Sequence, residues 1–191
     1  MRFGRSTLFR ALRNMIRIAI KAVGLIDHKW YMRLYVPYLR RLGVNIVGTP
    51  MYISPKATID GSNFNLITIG DRAVISSGVR ILTHDFSVDR ALESFTDASL
   101  PDDGLEYQLV GPVTIGARAF IGAGSILLLG CDVGEGSIVG AGSVVRGRIA
   151  AGKIVVGNPA VEVEDVETWL QRARRRAEPI NAALAPINKK P

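Results

Sequence analysis

With one cysteine in 191 residues, this chain has no partner for an intrachain disulfide, so packing alone must hold it, as suits a reducing, cytoplasmic compartment. Its two histidines, His28 and His84, lie far apart without paired spacing, and with a single cysteine they make no tetrahedral metal site. Aromatics are scarce at 7%, whereas glycine reaches 20 residues, a balance that suits tight corners better than an open α/β core. No long apolar run occurs. The most apolar early stretch, Met15 to Ile26, is broken by Arg17 and Lys21 and is too short to cross a bilayer, and no secretory leader is evident.

Acidic residues are nearly missing from the first fifty, where Asp27 stands against ten Lys or Arg. Residues 51–170 reverse this, with fifteen acids against eight bases, and residues 171–191 hold six bases and one acid. The net charge of +7 therefore belongs to the termini. Basic ends without a recognition fold do not make a nucleic-acid reader.

What the chain does have is a six-residue pulse. Aliphatic residues recur at Leu109, Ile115, Ile121, Leu127, Val133, Val139 and Val145. Four places after each comes a mostly small residue: Val113, Ala119, Ser125, Cys131, Ser137, Ser143, then Ile149. No α-helix has that period, and short fixed repeats specify a solenoid. Each hexad predicts one short strand and one corner, with the aliphatic inside and the small residue beside the corner. Cys131 falls in the small slot and reads as a packing residue. The pulse is also present earlier, at Ile53, Ile59, Ile69, Ile75 and Ile81, with four added residues around Asn63-Phe64-Asn65-Leu66. From Thr83 to Gln108 it lapses, predicting a long loop thrown out of the solenoid.

These hexads are the signature of a left-handed parallel β-helix, and the chain resembles the hexapeptide-repeat acyltransferases of the sugar O-acetyltransferase type. The expected architecture is mainly β. A basic helical extension spans 1–50, the β-helix spans 51–160 with an inserted loop at 84–108, and a C-terminal helix and tail span 161–191. The resemblance covers about 110 residues. It implies acetyl-CoA as acyl donor, a sugar or glycoconjugate hydroxyl as acceptor, a homotrimer and no metal. A carbonic anhydrase on the same fold would need three histidine ligands, which this chain lacks. Acetylation of a nucleotide-linked amino sugar and a non-catalytic scaffold are the rival readings.

The resemblance places the catalytic base at loop entry, which here is His84 in Thr83-His84-Asp85-Phe86. An imidazole titrates near neutrality and suits removal of a hydroxyl proton. Asp85 is the candidate to orient it. The Asn-Phe-Asn motif implies acceptor binding by Asn63, although a turn-shaping asparagine fits equally well. For the donor, the resemblance points to backbone contacts at Ala123 and Ala141 and to a cation at Arg146. Arg118, Arg148 and Lys153 complete a basic set for the CoA phosphates. The turn Gly157-Asn158-Pro159-Ala160 matches the family's terminal turn.

Two jobs suit the N-terminal helix. Leu8, Leu12, Met15, Ile16, Ala19, Ile20 and Val23 share one face, opposite Arg10, Arg13, Arg17 and Lys21. That apolar face either caps the open end of the solenoid or rests on the inner surface of a membrane as a peripheral contact. A second helix is expected over Trp30 to Leu42, broken or kinked near Pro37.

Overall fold

The computed structural model describes residues 4–60, 63–94 and 106–177. Two helices, α1 (Gly4–Val23) and α2 (His28–Leu42), precede a mainly β body of very short strands. The strands fall on three parallel faces visited in strict rotation. The first face carries Asn45–Ile46, Ile67–Ile69, Val113–Ile115, Asp132–Val133 and Arg148–Ile149. The second carries Tyr52–Ile53, Val74–Ile75, Phe120–Ile121, Ile138–Val139 and Lys153–Gly157. The third carries Thr58–Ile59, Arg80–Ile81, Ile126–Leu127 and Val144–Val145. The chain thus winds through four full coils and begins a fifth.

Register keeps the interior in columns. Ile75, Ile121 and Val139 align on the second face, and Ile59, Ile81, Leu127 and Val145 on the third. Ile115, Ile121, Leu127, Val133 and Val139 have no solvent exposure, and Ala119, Ser125, Cys131, Ser137 and Ser143 are buried at the corners. Buried hydroxyls need partners. Ser125 Oγ donates to Gly140 O at 2.9 Å and Ser137 Oγ to Ala150 O at 2.8 Å, each bond tying one coil to the next. Coils approach so closely that a Cβ on Gly122 would lie 2.5 Å from the Ala141 backbone nitrogen.

Several expectations need correction. The coil starts at Asn45, inside the segment assigned to the helical extension, because Asn45 and Ile46 pair with Thr68 and Ile69. Leu109 is 47% exposed rather than inside, because it belongs to an antiparallel ladder in which Asp85 faces it and His84 faces Val110. Ile149 sits in an interior slot beside Val133, the coil there being shortened, so it is no corner residue. The inserted segment is not structureless: that ladder closes its base, and α3 (Ser87–Ser94) follows. The stretch 95–105 lies outside the described residues.

At the N-terminal end α2 runs unbroken through Pro37 and buries Tyr31, Tyr35, Val36 and Leu39 over the first coil. Asp27 caps it, its carboxylate accepting from the N–H groups of Lys29 and Trp30. Helix α1 packs with its cations partly inward. Lys21 Nζ donates to Ala57 O at 2.8 Å and lies over the Tyr35 ring, and Arg13 lies over Phe64. Of the apolar arc expected to cap the solenoid, Ile20 and Val23 pack against the core, whereas Leu12, Met15, Ile16 and Ala19 are exposed. At the far end Ala160–Asp165 turns back antiparallel on Lys153–Gly157, and α4 (Val166–Ala173) follows within the segment expected to hold a C-terminal helix.

Candidate active site

The site grows from the third face. Asp60, Leu82, Leu128 and Arg146 each follow the inward residue of their strand, so parallel register stacks them along one edge on successive coils. Past Leu82 the chain leaves the coil through Thr83 and His84. The Asp60 side chain, only 7% exposed, collects this exit. Its Oδ2 accepts from the Thr83 N–H at 3.0 Å and from the Thr83 hydroxyl at 2.7 Å. His84 Nδ1 meets the same oxygen. A carboxylate can only accept, so Nδ1 carries the proton and Nε2 is the basic nitrogen.

Phe86 holds the other side of the imidazole edge-on, ring centroids 5.2 Å apart. His84 and Phe86 line a groove of about 600 Å³ together with Leu82, Leu109, Leu128 and Arg146. An apolar channel with an oriented imidazole at one point and a guanidinium at another suits an extended ligand with an anionic group. Arg146 makes no ion pair with any described residue. The three other candidate cations are matched to acids. Arg118 pairs with Glu135, Arg148 Nε lies 3.8 Å from Asp132, and Lys153 Nζ lies 2.7 Å from both Glu162 and Asp165.

The structure thus brings His84, Asp85 and Arg146 to one groove and places the other candidates elsewhere. Asp85 does not orient the histidine: its carboxylate turns to the start of α3 and accepts from the Ser87 N–H at 2.7 Å, a bond that holds it below the usual carboxylate range. Asp60 takes the orienting place instead. Asn63 caps a short turn, accepting from the Asn65 N–H at 3.2 Å, and does not line the groove. Ala123 and Ala141 stack at the opposite corner of the third face, where Gly142 donates to the Ala123 carbonyl at 2.8 Å. Lys153 is clamped by its two carboxylates, which hold its pKa well above the ordinary value, so it is no donor-facing cation.

Residues 112–146 match the family model described as the hexapeptide repeat of succinyl-transferase. The match marks the hexapeptide repeat in that stretch of the chain. The chain is 35% identical over 127 residues to a Mycobacterium tuberculosis protein named as an acetyltransferase, covering 65% of this chain and 39% of that one. It is 33% identical over 94 residues to an Escherichia coli protein named as a lipopolysaccharide biosynthesis O-acetyl transferase, covering 49% and 47%. It spans less than half the length of either relative. Among solved structures it is similar to galactoside acetyltransferase in complex with coenzyme A, with TM-score 0.59, 15% identity and coverage of 90% and 88%. It is also similar to a hexapeptide-repeat acetyltransferase of Vibrio cholerae complexed with acetyl-CoA, with TM-score 0.58, 20% identity and coverage of 86% and 91%. At these identities the likeness to the solved structures is one of fold.

Proposed function

We propose that the protein transfers an acetyl group from acetyl-CoA to a hydroxyl of a sugar or glycoconjugate precursor, on a left-handed β-helix. The observation that carries this reading is the Asp60–His84 pair opening onto the same groove as Arg146. The acetyltransferase names of the relatives, and the coenzyme A in the galactoside acetyltransferase complex, support the choice of donor.

In this reading Nε2 of His84 removes the acceptor proton as the hydroxyl oxygen attacks the thioester carbonyl carbon. The new C–O bond forms, the C–S bond breaks, and His84 returns the proton to the departing thiolate to give CoA–SH. Asp60 holds the ring and stabilises the imidazolium between the two transfers. Backbone N–H groups at the coil edge hold the oxyanion. Arg146 takes a phosphate of the donor. Cys131, buried and with its thiol pushed up to about 12, forms no acyl-enzyme. The groove opens at one side of the prism, and a homotrimer would complete it with a neighbouring subunit.

Calorimetry with acetyl-CoA, followed by a panel of hydroxyl and amino sugars with mass detection, tests the reading. Donor binding and an O-acetylated product are expected. Lack of donor affinity at millimolar concentration would leave a scaffold, and product acetylated only on nitrogen would move the acceptor to an amino sugar.

A further inference from the structure

Helix α1 buries only part of its apolar surface against the body. Helical spacing puts Leu12, Met15, Ile18 and Ala19 on one arc, and all four are exposed. Met15 is 63% and Ile18 65% exposed, and the turn that follows presents Leu25 at 76% and Ile26 at 90%. The inward arc is mixed, with Ile20 and Val23 packed against the core beside half-buried Arg13, Arg17 and Lys21. Lys21 is bonded to the Ala57 carbonyl, its pKa lowered by burial and by Arg17, and Tyr38 Oη donates to the Arg13 carbonyl at 3.0 Å. An amphipathic helix ordinarily buries its apolar arc, so an arc held outward is a surface that something else covers.

We propose that this arc, with the Leu25–Ile26 turn, lies in the surface of an anionic lipid bilayer. Charge selects that occupant. Residues 1–50 carry ten Lys or Arg and a single acid, Asp27, whose carboxylate is engaged in capping α2. A second copy docked through the same face would bring two such cationic segments together, whereas anionic headgroups complement them. Trp30, exposed beside the turn with Arg33 stacked 5.2 Å over its ring, supplies an amphipathic aromatic of the kind that settles at headgroup level. No described helix is long and apolar enough to cross a membrane, so the contact is interfacial.

The proposal does not depend on the acetyl-transfer reading and is tested apart from it. The full chain is sedimented with vesicles of phosphatidylcholine alone and of phosphatidylcholine mixed with phosphatidylglycerol. Binding to the mixed vesicles is expected, weaker by on the order of tenfold on the neutral ones and weakened again by high salt. Ile18→Glu, and separately Leu25→Gln with Ile26→Gln, should each reduce binding by on the order of tenfold while circular dichroism and solution mass stay as in the parent. The turn pair stands outside any helix, so its result does not hinge on α1 folding. Failure to bind either vesicle overturns the proposal. So do variants that bind lipid as well as the parent, and variants that lose the parent's oligomeric state, which would assign the face to a second copy.

Discussion

The carboxylate of Asp60 lies one coil below the exit of His84 from the prism and receives the imidazole Nδ1 together with both donors of Thr83. One oxygen therefore sets the direction of the loop entrance and of the ring. Asp60→Asn keeps the size but offers an amide in place of an acceptor-only group. Turnover should fall about a hundredfold with the KM for acetyl-CoA unchanged. Steady-state kinetics with the donor varied checks this, and a rise in donor KM alone would not fit.

Among the cations the contrast is between Arg146 and Lys153. Arg146 lines the groove, whereas Lys153 is held by Glu162 and Asp165. Arg146→Ala should raise the KM for acetyl-CoA on the order of tenfold, the loss of one charge-assisted contact. Lys153→Ala should leave that KM alone. The two measurements together separate a donor contact from a general effect of positive charge.

Leu109 and Ile121 both keep the six-residue spacing, yet one is exposed and the other fully buried. Ile121→Ala should cost about 2–5 kcal/mol in denaturant unfolding, because a packed column cannot collapse around the gap. Leu109→Ala should change stability by no more than about 0.5 kcal/mol and act instead on the groove it lines. Glycines divide in the same way. Gly122→Ala drives a Cβ into the next coil and should cost about 3 kcal/mol, whereas Gly136→Ala meets no atom within 4 Å and carries only the strain of φ +65°, about 1 kcal/mol.

Burial, with Asp132 nearby, pushes the Cys131 thiol from its ordinary 9.0 up to about 12. Between these values the unfolded chain has shed a proton that the folded chain keeps. This group's contribution is therefore intact below pH 9 and is lost as pH rises towards 12, with a slope of at most about 1.4 kcal/mol per pH unit. The folded protein should resist thiol reagents at neutral pH and react once denatured. Cys131→Ser should retain turnover, because Ser125 and Ser137 already occupy equivalent corners with bonded hydroxyls.

The interior of the solenoid was legible because each inward aliphatic repeats against its neighbour one coil away, so spacing and packing carry the same information. His84 was legible because the pulse stops there. Asp60 was not, because its partnership with His84 spans 24 residues and depends on how the four residues added near Asn63 are absorbed. Asp85 looked better placed only by adjacency, while α3 had its own use for that carboxylate. Leu109 kept the spacing but had left the coil for an antiparallel ladder. The face of α1 was only partly legible because amphipathicity does not say which arc a neighbour takes: Ile20 and Val23 pack against the core, but Phe64, Tyr35 and the Ala57 carbonyl drew in Arg13 and Lys21 beside them.

The most direct measurement replaces the imidazole itself. His84→Ala should bind acetyl-CoA by calorimetry as the parent does, yet acetylate a sugar acceptor at least about a hundredfold more slowly. Parental turnover in that variant would contradict the account.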